Sequence, residues 1–232
     1  MRIVLAITGA SGSIYGVRLA EKLAATQRVE LHLILSRAGE RTLHTETGIL
    51  ARDLKALADH CYPFEDIGSR LASGSFSTDA MVVAPCSIQT MSAIAHGISS
   101  NLIVRAADVT LKERRKLVLM VRESPFHLGH LRSMVALSEM GAIIAPPIPG
   151  FYHQPESVLD LVDHSVDRVL DLIGCPAPDA RRWNPGSNAG KTASGDQEAQ
   201  TKTTTRASDA EATELRAIVA DPGSARGKDS TE

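Results

Sequence analysis

The chain has 232 residues, 43% of them hydrophobic, and a formal net charge of −2. That length supports one soluble domain with a sizeable core, and the balanced charge excludes a protein that grips nucleic acid through a general basic field. No apolar run reaches the roughly 20 residues of a membrane helix, Met1-Arg2 leads into a strand instead of a signal peptide, and the widely spaced Cys61, Cys86 and Cys175 form no disulfide framework, so a cytoplasmic setting is expected.

The first predicted element is a buried strand at Arg2–Ile7, which breaks into TGASGSIYG and then a helix over Ser13–Thr26 with Ile14, Val17, Leu19 and Leu23 along one side. A strand that turns through glycines into a helix points bare N–H groups at whatever lies above it, which suits a phosphate. The spacing of Gly9, Gly12 and Gly16 is equally explained by tight packing. A second strand at Glu30–Leu35 ends in LSRAG, so Ser36 and Arg37 stand where a dinucleotide fold needs a ribose-binding acid. NAD is disfavoured. Arg37 leaves NADP open, but Tyr15, Tyr62 and Tyr152 are not followed four residues later by the lysine of a short-chain reductase. A mononucleotide with its phosphate on Gly9–Gly12 and a hydroxyl contact from Ser36 fits better.

The next strand, Ala80–Ala84, ends in APCSIQT and leads into a helix over Ser87–His96. Ser87 or Thr90 can cap that helix or offer a hydroxyl to a ligand. A helix over Asn101–Lys116 carries Arg105 and Lys112 two turns apart, while Arg114, Arg115 and Lys116 read as a solvated surface. After the strand Leu117–Val121 comes Arg122-Glu123, either an ion pair or a phosphate-binding cation beside a proton-transferring carboxylate. Ser124 caps a predicted helix at Pro125–Met140, a strand follows at Ala142–Ala145, and Pro155 opens a last helix that stops at Gly174. Its expected core stripe is Val158, Leu161, Val162, Val169 and Ile173, and Arg168 projects within about 20° of Leu161, meeting an anion or snorkelling outward. Tyr152 sits on the loop between, and Glu46, near the end of a helix beyond the second strand, on its own reads as surface. His127 and His130 lack a third ligand, so no metal site is expected, and His96, His153 and His164 read as structural or solvent-facing. Continuous apolar strands alternating with helices predict an α/β fold with a doubly wound parallel sheet, its ligand beyond the strands' C-terminal ends. The segment after Trp183 contains no aromatic residue and is dominated by small and charged residues, so residues 184–232 are read as a disordered tail to a domain at 1–183.

TGASGSIYGVRL, LSRA, ASGSFSTDAMVVAPCSIQTMSAIAHG, NLIVRAADVTLKERRKLVLMVRESPFHLGHL and GAIIAPPIPGFYHQPES together resemble the flavin prenyltransferase family, the UbiX-like enzymes. The resemblance implies a flavodoxin-like or Rossmann-like homo-oligomer, a dodecamer. It also implies metal-free transfer of a dimethylallyl group from dimethylallyl monophosphate to N5 of reduced FMN, with ring closure at C6. The product, prenylated FMN, serves a UbiD-type decarboxylase. By the same resemblance Gly9, Ala10, Ser11, Ser36, Ser87, Ile88, Gln89, Thr90 and Arg122 bind the flavin. Tyr152, Arg168 and Ser73 serve the prenyl phosphate, with Arg105 and Lys112 contributed by a neighbouring subunit, and Trp183 edges the site. Glu46 and Glu123 handle protons, and Ser11 stands beside them as a catalytic candidate. The rival readings are an FMN-dependent decarboxylase of the cysteine-decarboxylase-like group, of whose PASANT-like motif PCSIQT is a partial echo, and a flavin-carrying accessory subunit without activity.

Overall fold

In the computed structural model, which describes residues 1–177 and 180, six parallel strands form one sheet. The elements run β1 (Arg2–Ile7), α1 (Ser13–Ala24), β2 (Glu30–Leu35), α2 (Arg37–Thr47), α3 (Ala51–Lys55), β3 (His60–Tyr62), a 3₁₀ turn (Arg70–Ala72), β4 (Ala80–Cys86), α4 (Ile88–Ala95), α5 (Leu102–Lys112), β5 (Lys116–Val121), α6 (Leu128–Glu139), β6 (Ile143–Ile144) and α7 (Val158–Ile173). The strand order β3-β2-β1-β4-β5-β6 makes the sheet doubly wound, and the order reverses between β1 and β4. A crevice opens at such a reversal, outside the strands' C-terminal ends.

Alternation along the strands divides the core between the two faces. Ile3, Leu5 and Ile7 of β1 pack with Leu31, Leu33 and Leu35 of β2 against Val17, Leu23, Val166 and Val169 of α1 and α7. Val4 and Ala6 face the other way, with Met81, Val83 and Leu119, and meet Met91, Ile94, Leu102 and Val104 of α4 and α5. α1 and α7 are further tied by ion pairs from Arg18 to Asp163 and from Lys22 to Asp167.

Several predicted boundaries move. The helix predicted from Pro125 is α6, which begins at Leu128 with His127 as its cap, the ring accepting from the Gly129 N–H. The last helix begins at Val158 through a capping box between Ser157 and Asp160, and Val158 itself is exposed, so it leaves the predicted stripe. The helix expected to reach Lys116 stops at Lys112, and Lys116 opens β5. Arg115 is no free surface cation: it donates to the carbonyls of Gly74 (2.8 Å) and Phe76 (3.0 Å) and so fixes the loop before β4. The short β3 lay outside the predicted strands. The predicted tail and Trp183 lie outside the described residues.

Candidate active site

The tips of β1, β2 and β4 are stitched together by hydrogen bonds. Thr8, just after β1, donates its hydroxyl to the Pro85 carbonyl (2.8 Å) and accepts from the Ser87 N–H (2.8 Å). The Ser36 N–H, just after β2, donates to the Ile7 carbonyl (3.0 Å). Above these tips lies a cavity of about 370 Å³, within the size range of small-molecule sites.

Three helices begin on its wall. Ser36 caps α2 by accepting from the Gly39 N–H (3.0 Å), Ser87 caps α4 by accepting from the Thr90 N–H (3.3 Å), and Asn101 caps α5 by accepting from the Val104 N–H (3.1 Å). All three caps line the cavity, together with Gly9, Gln89, Thr90, Arg37 and Arg41. Converging helix N-termini present partial positive charge and N–H groups to one space; Arg41 adds to it, while Arg37 is paired with Glu65 (2.7 Å). The cavity is built for an anion with hydroxyl-directed contacts. Of the predicted flavin residues, Gly9, Ser36, Ser87, Gln89 and Thr90 meet here. Ala10 is buried beside the turn, and the Ile88 side chain packs into the core. Arg122 is exposed at the end of β5, its N–H donating to the Cys86 carbonyl (3.1 Å) one residue before Ser87.

The glycine turn has a different occupant from the one its pattern suggests. Glu46, at the end of α2, accepts from the N–H groups of Gly12 (2.9 Å) and Ser13 (2.8 Å), so a carboxylate of the chain itself sits on the α1 N-terminus. Burial pushes the Glu46 carboxyl up, but hydrogen bonds from the Ser11 side chain and the Ser13 and Gly12 backbone outweigh it and hold it below the usual range. Each glycine of the turn also has a backbone reason. A Cβ on Gly9 would lie 2.4 Å from the Ala38 Cβ, Gly12 has φ of 104°, and a Cβ on Gly16 would lie 2.5 Å from the Ala84 carbonyl oxygen. Packing accounts for Gly9 and Gly16 and the left-handed backbone for Gly12, and the helix N-termini that open onto the cavity are those of α2, α4 and α5.

The residues expected at the prenyl phosphate are spread over other elements. Arg105 pairs with Asp108 on α5 (2.7 Å) and Lys112 pairs with Glu113. A Cβ on Gly74 would lie 2.7 Å from the Lys112 ammonium, so Lys112 and the loop at Ser73 are neighbours, while Ser73 shares a hydrogen bond with Ser75 (2.8 Å). Tyr152 and Arg168 belong to the opposite face of the sheet, where Arg168 meets Asp171 (3.2 Å) on α7. Glu123 is exposed, accepts from the Ser124 N–H (2.9 Å), and forms no ion pair with Arg122.

His164, read from the sequence as structural or solvent-facing, has its Nε2 2.6 Å from the Tyr152 hydroxyl and its ring stacked on His153 at 4.3 Å. Burial, the neighbouring His153 and, more weakly, Arg168 push His164 down, against a smaller upward pull from Asp167. Its place one helical turn before Arg168 was the available sequence signal. Arg41 was likewise missed, although it lies one turn after Arg37 on the helix that starts at the β2 tip.

The flavoprotein family profile matches residues 1–169. The flavin prenyltransferase UbiX of Escherichia coli (strain K12) is 49% identical over 184 residues, covering 78% of this chain and 97% of its own. A probable UbiX-like flavin prenyltransferase of Bacillus subtilis (strain 168) is 47% identical over 184 residues, covering 79% and 90%. Among solved structures, AnUbiX (PadA1) in complex with FMN and dimethylallyl pyrophosphate superposes with a TM-score of 0.77 at 44% identity, covering 79% of this chain and 97% of that one. A dodecameric FMN-dependent UbiX-like decarboxylase from Escherichia coli O157:H7 superposes at 0.78 with 47% identity, covering 79% and 100%. The epidermin biosynthesis protein EpiD from Staphylococcus aureus, at 20% identity and a TM-score of 0.51, shares the fold.

Proposed function

The chain belongs to the flavoprotein family and, within it, to the UbiX-like flavin prenyltransferases, and from that premise we propose its reaction. It transfers the dimethylallyl group of dimethylallyl monophosphate to N5 of reduced FMN and closes a fourth ring at C6, giving prenylated FMN. The observation that carries this reading is the cavity at the sheet's reversal, where Ser36, Ser87 and Thr90 meet the N-termini of α2, α4 and α5. Hydroxyls and helix N-termini around one space fit the phosphate of FMN.

Gly9, Ala10, Ser11, Ser36, the run Ser87 to Thr90 and Arg122 hold the flavin. The flavin supplies the nucleophilic atoms and an electron-rich face that favours a developing allyl cation. The protein's part is position and charge. Tyr152 and Arg168 hold the prenyl phosphate, and Arg105, Lys112 and Ser73 reach it from a second copy. These donors stabilise the charge that gathers on the leaving phosphate, so no metal ion is needed for departure. His164 fixes the Tyr152 hydroxyl through its 2.6 Å hydrogen bond. Glu46, held ionised by Ser11 and the α1 N-terminus, accepts a proton, and Glu123 supplies one to the leaving phosphate.

The opposite-face placement of α5 and α7 supports a site completed between copies. α6 adds to that, since Leu128 (60%), Leu131 (46%) and Val135 (58%) are exposed on one helix face that a second copy would cover. We take the assembly to be a dodecamer, as in the Escherichia coli O157:H7 relative. A UbiD-type decarboxylase receives the product. Free thiols at Cys61, Cys86 and Cys175 fit a cytoplasmic setting, and no helix among the described residues is long and apolar enough to cross a membrane.

The test is anaerobic. Reduced FMN and dimethylallyl monophosphate are incubated with the protein in EDTA, and the released flavin is weighed by mass spectrometry. A gain of one C5 unit, lost in Glu123→Gln, is expected. Dimethylallyl diphosphate in a parallel reaction decides which donor is used. Unmodified FMN with both donors would leave a flavin carrier or a decarboxylase.

A further inference from the structure

A second constellation of metal-binding side chains lies away from the cavity, where β2 meets the edge strand β3. His32 and His60 are register partners across the two strands, and Glu30 stands two residues before His32 on the same face. His32 precedes Ser36 by four residues, about 13 Å along β2, so the cluster is remote from the flavin cradle.

Three ligand atoms converge there. The Glu30 Oε1 lies 3.1 Å from the His60 Nε2 and 3.3 Å from the His32 Nε2, and all three atoms fall within 4.8 Å of one another. Ligands held 2.0–2.1 Å from a tetrahedral zinc ion stand about 3.3 Å apart; the Glu30 oxygen already stands at that spacing from each histidine, and the two histidine nitrogens, within 4.8 Å of each other, close on an ion by a turn of the part-exposed His60 ring. His32 is fully buried, yet its Nε2 has no hydrogen-bond partner. Its other nitrogen, Nδ1, is 2.8 Å from the Tyr62 hydroxyl. With Nδ1–H donated to Tyr62, Nε2 keeps a lone pair for a ligand 3.3 Å from the Glu30 Oε1, and the His60 ring, stacked on His32 at 4.8 Å, turns to share that ligand. A ligating histidine is oriented in this way by a partner on its second nitrogen.

The remaining coordination is open to water, because the His60 and Glu30 side chains are 40% and 36% exposed. Arg2 donates to the Glu30 Oε2 (2.8 Å), which aims Oε1 inward while its charge weakens the attraction for a cation. Arg70 lies nearby over the Phe76 ring and acts in the same direction. We propose that Glu30, His32 and His60 form a structural site for a zinc-class divalent ion that pins the three-residue strand β3 to β2. The site has no part in prenyl transfer.

The full chain, stripped with EDTA and desalted, is titrated with Co²⁺ followed by visible absorption and with Zn²⁺ followed by calorimetry and thermal melting. One ion per chain is expected, with a Co²⁺ ligand-field band and a melting temperature that rises with Zn²⁺ concentration. His60→Ala weakens binding by about tenfold or more, and Tyr62→Phe, which keeps all three ligands, weakens it by about tenfold. His60 reaches solvent on an edge strand, so its variant folds. Should circular dichroism show otherwise, Tyr62→Phe decides. The double variant His127→Ala/His130→Ala binds as the parent does. The proposal falls if neither metal binds at ~100 µM, if His60→Ala and Tyr62→Phe bind as tightly as the parent, or if binding disappears with His127→Ala/His130→Ala.

Discussion

The flavin cradle and the prenyl-phosphate residues are organised in opposite ways. The cradle is finished within one chain: Thr8 locks β1 to β4, and the caps of α2, α4 and α5 open onto one cavity. The residues assigned to the phosphate are divided, with Arg105 and Lys112 on a helix packed against one face of the sheet and Arg168 on a helix packed against the other. Each of these three cations has a local acid, Asp108, Glu113 or Asp171. Such surface pairs are weak and easily exchanged for a phosphate. On the proposed assignment the contrast teaches that one chain holds the flavin, while discharge of the phosphate needs a second copy.

The largest effects should separate the two regions. Arg168→Ala and Arg105→Ala should each lower kcat by about 10²–10³-fold and leave FMN affinity unchanged, as measured by fluorescence quenching. A parallel loss of FMN affinity would break the distinction. Glu46→Gln should lower kcat by about 10²-fold, because the amide cannot take up a proton. It should also alter the pH dependence of stability. The folded carboxyl of Glu46 lies below its ordinary value, so its contribution is present above the unfolded pKa and is lost as pH falls through the depressed folded one. Urea midpoints of the parent and Glu46→Gln should therefore converge in acid and separate towards neutrality.

Gly16→Ala tests packing alone. A Cβ there meets the Ala84 carbonyl and the Ile7 side chain at 2.5 and 2.7 Å, and overpacking of this kind costs about 2 kcal/mol, measurable by urea denaturation. Ser36→Ala should be smallest, about 1 kcal/mol from the lost cap of α2 with a several-fold weaker grip on FMN.

Much of the fold was legible because buried parallel strands are continuous apolar runs, and five of the six strands were predicted where they occur or within a few residues. β3 escaped because it has three residues and one edge partner, which leaves no run to see. The helix read beyond the second strand, with Glu46 near its end, is α2. Helix ends were legible where a single residue decides them, as at Gly174. The starts at Leu128 and Val158 were misplaced because Pro125 and Pro155 sit in the preceding loops. The site was legible mainly as motifs. The contact of Glu46 with Gly12 and Ser13 joins residues 34 and 33 apart, which no spacing rule reveals, and it sets a carboxylate of the chain at the α1 N-terminus beside the glycines.

The most direct test mixes two inactive proteins. Arg105→Ala and Arg168→Ala chains are unfolded together, refolded at equal concentration, and assayed anaerobically for flavin carrying one added C5 unit. Sites formed between copies predict that about one in four has both arginines, so prenylated FMN should reappear well above the sum of the separate variants. No recovery from a mixture shown to contain both chains in one oligomer would place Arg105 and Arg168 in the same subunit's site and contradict the division.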